Sequence, residues 1–220
     1  MNTVAKWQQV AERVHVLASE SANAVVVEGD AGLLAIGALD SATIFGLSAK
    51  PVLFAAGEAE TPGTRIAHES APGDVTFSSV WATDLGGCYV EAVYAGRGAS
   101  ASDIVFNVPA ARVLIVGDLI RNPGPPAYSE TSWPLEWPGT LDMVRALATS
   151  ATIVVPGRGP VVDREFVEDQ RHEIVGIAEQ LNQLAQTGAT VEQAIEQGTW
   201  PFGGDALRHA LERGYAHWTP

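Results

Sequence analysis

Histidine and cysteine, the side chains that most often bind metals or act as nucleophiles, are few in this chain and poorly spaced for either task. The five histidines are His15, His68, His172, His209 and His217. No two of them have the HxH or HxxxH spacing of a metal site. The single cysteine, Cys88, cannot form an internal disulfide, and a reactive thiol needs an activating partner. We expect these residues to be structural, with His68 beside Glu69 the best exception.

Composition limits the class of protein. The 220 residues suit one domain, residues 1–220, which could bury about 70% of the surface that its unfolded chain exposes. A formal net charge of −13 argues against a nucleic acid partner, because phosphate binding needs a basic face. No apolar run approaches the length of about 18 residues that crosses a membrane, and the N terminus lacks a hydrophobic signal core. We therefore expect a cytoplasmic protein without a membrane partner.

The pattern of apolar residues predicts strands first and a mixed second half. Short β-rich segments punctuated by glycine and proline cover residues 14–17, 24–28, 33–36, 51–55, 64–67, 80–84, 89–95, 104–107 and 113–116. Helical periodicity covers 139–148, a buried strand 152–155, and further helices 163–187, 191–197 and 205–213. The segment 40–49 is ambiguous. This order predicts packed layers in an α+β or α/β domain, with Asp163 as the N-cap of the long helix.

Several motifs occur in a specific order along the chain. Residues 96–105 read GRGASASDIV, residues 112–119 read RVLIVGDL, and residues 155–160 read VPGRGP. They resemble the GxGHTxGD, RVLFAGDL and VPGHGP motifs of metallo-β-lactamase-fold hydrolases, and residues 23–36 are similar to the opening hairpin of that superfamily. Because the order is preserved over nearly the whole chain, the protein is identified as a degenerate member. The resemblance implies an α+β fold, a four-layer αβ/βα sandwich with C-terminal helices.

The resemblance also shows which metal ligands are missing. Members of the superfamily bind metal through an HxHxDH loop, the GHT histidine, the GD aspartate and the histidine of VPGHGP. Here residues 56–63 read AGEAETPG without a histidine, and the two separate histidines correspond to Ala99 and Arg158. Only Asp118 remains, whereas zinc needs three or four converging ligands. We therefore expect no metal and no other cofactor.

The free energy needed to form hydroxide without a metal argues against hydrolysis in this protein. A metal lowers the pKa of its bound water from about 15.7 to about 7, so its loss forfeits on the order of 12 kcal/mol in forming hydroxide at neutral pH. General-base catalysis by one carboxylate supplies roughly 3 to 5 kcal/mol.

Arg158 offers a replacement for the charge of the metal. In the family geometry the GD aspartate and the VPGHGP turn converge on one centre, which implies that Asp118 and Arg158 lie close together. We predict a guanidinium–carboxylate pair between them, at the centre of any remaining catalytic site. The alternative is that Arg158 extends into solvent.

Other polar residues would surround the same centre. Arg97, Ser100 and Asp103 are candidate ligand-binding residues, because two arginines suit an anionic small molecule. Alternatively, Arg97 is a surface residue and Asp103 caps the backbone of its own turn.

An aromatic segment, residues 128–137, is long enough to form a wall or lid over this cleft. Trp133 and Trp137 would then contact the ligand. The competing interpretation is that both tryptophans cover a sheet edge or a dimer contact. Further aromatic residues near the C terminus would pack its helices or a subunit interface, so a homodimer is an additional expectation.

Three classes of function remain open at this stage. The first is a metal-free pseudoenzyme or a protein that binds a small ligand or a partner. The second is a non-hydrolytic isomerase, cyclase or lyase that uses Asp118 as base and Arg158 as electrostatic stabiliser. The third is a metallohydrolase of an ester, thioester or lactone with unexpected ligands, which metal content would separate from the other two.

The substitution Arg158→Ala tests the predicted pair. Loss of the arginine should cost about 3 to 5 kcal/mol in the free energy of unfolding if Asp118 is left buried and unpaired. An exposed arginine would make the substitution nearly neutral. Denaturant unfolding of the two proteins distinguishes these outcomes.

Overall fold

A computed structural model describes residues 7–19, 21–37, 52–55 and 63–218. Within these residues, two β-sheets are followed by a helical C-terminal part. The segment 40–49 and most of the loop 56–63 lie outside the described residues.

The first sheet contains seven strands in chain order. These are β1 (Gln8–Ala11), β2 (Val14–Leu17), β3 (Ala24–Glu28), β4 (Leu33–Ile36), β5 (Val52–Ala55), β6 (Thr64–His68) and β7 (Val75–Phe77). The strands β1 to β4 pair antiparallel, and the pairs from β4 to β7 are parallel.

The second sheet contains five strands in the order β12-β11-β10-β9-β8. They are β8 (Val80–Asp84), β9 (Tyr89–Tyr94), β10 (Ile104–Val108), β11 (Val113–Arg121) and β12 (Ile153–Arg158), with a short 3₁₀ turn at Pro109–Ala111. The pairs from β8 to β11 are antiparallel, whereas β11 and β12 are parallel. Parallel strands end at the same edge, so Asp118 and Arg158 are brought to one edge of this sheet.

Four α-helices belong to the described part of the chain: α1 (Trp137–Leu147), α2 (Arg164–Gln186), α3 (Val191–Gln197) and α4 (Gly204–His217). The predicted cap of α2 is confirmed, since the Asp163 carboxylate accepts a hydrogen bond from the backbone N–H of Phe166 at 2.9 Å. Thr190 and Gln193 form a capping box at the start of α3. None of these helices is both long and apolar enough to cross a membrane.

Three hydrophobic clusters pack against the two sheets. Alternate residues of β3 and β4 enter different clusters, so Val25 and Leu34 face the second sheet while Val26 and Leu33 face the other way. The third cluster joins the second sheet to the helices, with Trp137 fully buried in it. The predicted α+β sandwich is confirmed. The C-terminal aromatic residues Trp200, Phe202 and Tyr215 also pack against the helix-side cluster.

The sequence pattern located most of these elements and misjudged a few boundaries. The strand predicted at 113–116 continues to Arg121, five residues further, and β12 extends to Arg158. Strands β1 and β7 were not predicted, because their residues alternate weakly and β7 has only three residues. The extension of β11 matters most, since it places Asp118 within a strand and Arg121 at its end.

Asn23 joins the two sheets at the edge that carries Asp118 and Arg158. Its side-chain amide donates to the backbone oxygens of Pro156 and Gly159 at 2.9 and 2.7 Å, and its Oδ1 accepts from Ser19 N at 3.0 Å. Its backbone N–H donates to Gly157 O at 2.7 Å. Only 6% of Asn23 is exposed, so these bonds are shielded from water. The residue therefore fastens the loop between β2 and β3 to the end of β12.

Replacement of Asn23 by aspartate should destabilise the protein. The carboxylate could no longer donate to two buried carbonyl oxygens and would face them with negative charge, which costs about 3 to 5 kcal/mol in the free energy of unfolding. The matched control is Asn182→Asp, because the Oδ1 of Asn182 is exposed and accepts from Trp218 and Gln186, which an aspartate can also do. Equal unfolding midpoints for both variants in a urea titration would contradict the role of Asn23.

Candidate functional site

Asp118 lies on β11 directly against Gly157 of β12. A Cβ atom at position 157 would stand 2.7 Å from the backbone carbon of Gly117 and 2.8 Å from Asp118 N, and it would also meet the Asp118 carboxylate. Real Cβ atoms do not approach that closely, so only glycine fits at 157. The Asp118 side chain is exposed. It forms no ion pair with any described residue.

The predicted ion pair between Asp118 and Arg158 does not form. Both residues are described, and neither takes part in an ion pair within the described residues. Arg158 follows Gly157 in the strand, and it lines a groove together with Arg121 instead. The nearly neutral outcome is therefore the one expected for Arg158→Ala, because no carboxylate loses its partner.

Asp103 closes the turn that precedes β10. Its two carboxylate oxygens accept hydrogen bonds from Ser100 N at 2.7 Å and from Ser100 Oγ at 2.9 Å, which is the capping interpretation. Burial raises the pKa of the Asp103 carboxyl above its usual range, the bonds from Ser100 oppose that rise, and the negative charge of Asp118 adds to it. The two aspartates therefore act on each other electrostatically, although they come from different strands.

Arg97 is held by partners of its own. Its Nε donates to Glu136 Oε2 at 2.9 Å, and its guanidinium lies 4.0 Å from the centre of the Trp133 ring. The other partner of that ring is His217, which stacks on it with centroids 4.0 Å apart. Burial and the nearby Arg213 lower the pKa of His217, which favours the neutral imidazole in this stack. The structure thus places Arg97 in a stack with Trp133, separate from Arg158.

The aromatic segment 128–137 is bound to the turn that it was expected to cover. The backbone N–H of Trp133 donates to Gly98 O at 2.8 Å, and Ser132 Oγ donates to Ala99 O at 3.1 Å. Ser132 and Trp137 are both fully buried. Trp137 therefore belongs to the core and presents no surface to a ligand, which corrects the expectation of a lid at this residue. Trp133 is only partly buried.

His68 is engaged in a local cluster. Its ring stacks on Tyr94 with centroids 3.7 Å apart, and its Nδ1 lies 2.7 Å from Ser70 Oγ. The Tyr94 hydroxyl donates to Ala101 O at 3.2 Å, and burial raises the pKa of that tyrosine. These contacts join β6 and β9 to the turn that holds Ser100. They account for His68 as a structural residue.

The described residues do not fit the metal that the resemblance implies. Ala99 is buried, and its carbonyl is bonded by Ser132, so the position of the first histidine offers no donor side chain. Arg158, a cation, occupies the position of the second. Within the described ranges no three His, Cys, Asp or Glu side chains come together in a group that could hold a metal ion. Asp118 has a second carboxylate near it and lacks the neutral ligands that complete a zinc site.

Sequence reasoning missed Arg121. It is the register partner of Arg158 on the adjacent strand, and both side chains line a cavity of about 610 Å³ between the ends of β11 and β12 and the edge of the first sheet. The strand was expected to stop at Val116, which left Arg121 in an unassigned loop. The available signal was the apolar pair Leu119 and Ile120, both fully buried, which continues the strand beyond Asp118.

The coupling of the two aspartates can be measured directly. Asp118→Asn should lower the pKa of Asp103 because it removes a like charge that disfavours ionisation. A carboxyl ¹³C NMR titration measures that pKa, and Asp142→Asn is the control, since Asp142 is held by Arg171 on α2. The folded state keeps the Asp103 proton longer than the unfolded state does. The contribution of Asp103 to the free energy of unfolding therefore falls as the pH rises from about 3.9, the pKa of an unfolded aspartate, toward the raised pKa of Asp103 in the folded protein. An unchanged Asp103 titration in the Asp118→Asn protein would refute the coupling.

Comparison with known proteins supports the fold and leaves the activity open. No protein-family model matches the chain, and no curated protein sequence matches it either. Among solved structures, a metallo-β-lactamase from Pontibacter korlensis superposes with a TM-score of 0.68 and 16% identity, covering 78% of this chain and 99% of that enzyme. The DIM-1 metallo-β-lactamase gives 0.65 and 15%, covering 78% and 96%.

A longer enzyme matches more of the chain. The stereoselective inverting sec-alkylsulfatase Pisa1 from Pseudomonas sp. superposes with a TM-score of 0.75 and 14% identity over 99% of this chain. The chain spans 50% of the length of that sulfatase. At these identities the likeness concerns the fold alone. Together with the two-sheet architecture and the ordered motifs, it shows that this chain has the metallo-β-lactamase fold.

Proposed function

We propose that this protein is a metal-free member of the metallo-β-lactamase fold that binds a small ligand or a partner and does not carry out zinc hydrolysis. The observation that carries the proposal is the surroundings of Asp118, the one family ligand that remains. Its carboxylate has Gly157 against it and the charge of Asp103 nearby, while the cation of Arg158 is directed into a separate groove. Among the described residues, no group of three His, Cys, Asp or Glu side chains forms around this carboxylate, whereas zinc needs three or four converging ligands.

The packing around Ala99 adds to this support. Ala99 is buried in the helix-side cluster together with Tyr128 and Trp137, and the segment 128–137 is attached to the turn through Ser132 and Trp133. Thr140 Oγ1 donates to Arg97 O at 2.6 Å and fastens the same turn to α1. Protein interiors resist added volume, and overpacking typically costs about 1 to 3 kcal/mol. A histidine in place of Ala99 would therefore have to fit into packed surroundings.

Metal analysis is the decisive experiment for this proposal. Protein purified without a chelator should contain much less than one equivalent of zinc by inductively coupled plasma mass spectrometry. Added chelator should leave its melting temperature unchanged, because a metal that binds only the folded state would raise that temperature. Asp118→Asn serves as the matched variant and should have the same metal content. Zinc near one equivalent that is lost in this variant would overturn the proposal and favour a metallohydrolase with atypical ligands.

A second candidate function is a non-hydrolytic, metal-independent enzyme such as an isomerase, cyclase or lyase. The observation that favours it is the pair of carboxyl groups in different environments, since Asp118 is exposed and burial raises the pKa of Asp103. Such a difference suits one group to accept a proton while the other holds one. The absence of the ion pair also leaves Asp118 available as a base, although Arg158 then stabilises no charge beside it.

Proton exchange would reveal this second function. The wild-type protein, incubated with a small-molecule extract in heavy water, should introduce deuterium into particular compounds, as followed by mass spectrometry. The Asp118→Asn protein should not do so, whereas Asp142→Asn should behave like the wild type. Equal labelling by the two variants would contradict a catalytic role for Asp118.

A further inference from the structure

Two arginine side chains meet in a groove at the end of the second sheet. Arg121 and Arg158 are register partners on the parallel strands β11 and β12, and both line the cavity of about 610 Å³. Neighbouring strands lie about 4.8 Å apart, so the two cations start from adjacent points of the backbone. Neither forms an ion pair with the residues that the structure describes. Two like charges placed side by side repel each other unless an anion lies between them.

One nitrogen of the Arg121 guanidinium, Nε, is buried without a hydrogen-bond acceptor among the described residues. The backbone of the same residue is fully paired, because Gln170 of α2 donates to its carbonyl and accepts from its N–H, both at 2.9 Å. The end of β11 is therefore held by Gln170, while the buried Nε of Arg121 has no acceptor among the described residues. A buried donor without an acceptor is costly, and an oxyanion in the groove would supply acceptors to this guanidinium.

The rest of the groove is largely apolar. Its hydrophobic walls come from the first two strands and from the turns that follow β11 and β12: Val10, Val16, Ala18, Pro123, Pro160 and Val161. The volume lies within the range of about 300 to 1,000 Å³ that is typical of small-molecule sites. Such sites combine apolar walls with a few polar groups that orient the ligand. An inorganic anion would use the arginines and leave the walls bare.

Charge complementarity selects the kind of ligand. The chain carries a net charge of −13, yet no carboxylate lines this groove within the described residues. We propose that the groove binds an organic monoanion whose carboxylate or sulfate group lies between Arg121 and Arg158 and whose apolar tail runs along Val10, Val16 and Val161. This inference rests on the proposed binding function and gives it a ligand class and a location.

Isothermal titration calorimetry of the full chain tests the proposal with defined probes. Octanoate and octyl sulfate, both below their micelle concentrations, should bind with one-to-one stoichiometry, and the tighter of the two identifies the preferred head group. Acetate lacks the tail and octanol lacks the charge, so each should bind at least about tenfold more weakly. Equal affinity for octanoate and acetate would overturn the role of the apolar walls.

Variants assign the binding to this groove. Arg121→Gln and Arg158→Gln should each weaken octanoate binding about tenfold or more, because each removes charge-assisted hydrogen bonds. Arg208→Gln makes the same charge change on the exposed surface of α4 and should bind as the wild type does. Val161→Asp provides a variant that should fold normally, since Val161 is 37% exposed, and its carboxylate should abolish binding. Wild-type affinity in the folded Val161→Asp protein would refute the location.

Three further outcomes separate this proposal from its alternatives. Glu20 follows the groove residue Ser19 in sequence and lies outside the described residues. If octanoate binds only after Glu20→Gln is introduced, the anion of the groove is a carboxylate of the chain itself, and the inference is overturned. If the purified protein lacks zinc and octanoate does not bind, the groove proposal fails while the metal-free interpretation stands. If the purified protein contains one equivalent of zinc and also binds octanoate, the metal-free proposal fails while the groove proposal stands.

Discussion

The close approach of β11 and β12 at Gly157 is the constraint on which the arrangement of the site depends. No side chain fits between the two backbones there, so the Asp118 carboxylate covers the glycine. The next residue, Arg158, then takes Arg121 as its register partner. One glycine thus separates two regions of opposite charge, the pair of aspartates on one side and the pair of arginines on the other. The two arginines line the groove, whereas Asp103 caps its own turn and Asp118 is exposed.

The turn that contains Ala99 keeps its shape through hydrogen bonds. The Arg97 carbonyl oxygen accepts a hydrogen bond from Thr140 Oγ1. The Gly98 carbonyl accepts from Trp133 N, and the Ala99 carbonyl accepts from Ser132 Oγ. Each such bond contributes a net stabilisation of about 0.5 to 1.5 kcal/mol, and the burial of Ser132 makes any unpaired partner costly. The geometry of this turn is therefore fixed by its hydrogen bonds to α1 and to the segment before it.

The fold could be predicted well from the sequence, and the site only in part. Strands with strong alternation or continuous apolar character, such as β3 and β8, were found at their observed bounds, because burial imposes a period that the sequence displays. The ordered motifs identified Asp118, Asp103 and Arg158 as candidate site residues, although the predicted strands ended before Asp118 and Arg158. The capping contact of Asp103 was one of the predicted alternatives. The contacts of Asp118 and Arg158 could not be predicted, since side-chain direction depends on where a strand ends and on the fit at Gly157. Arg121 lies outside the motifs and Asn23 only begins the hairpin segment, so the packed structure alone shows what each of them contacts.

The hydrogen bonds of Asn23 affect how the groove would bind a ligand. Ser19 follows β2 and Gly159 follows β12, and both line the groove. The amide side chain of Asn23 joins them, and Gly159 N also donates to Ser19 O. The two walls are thus tied together in the free protein, so a ligand enters a site whose width is already set. Little conformational entropy remains to be lost on binding. Among related ligands, differences in affinity should then arise from how fast each one leaves, because all of them meet the same open groove on arrival.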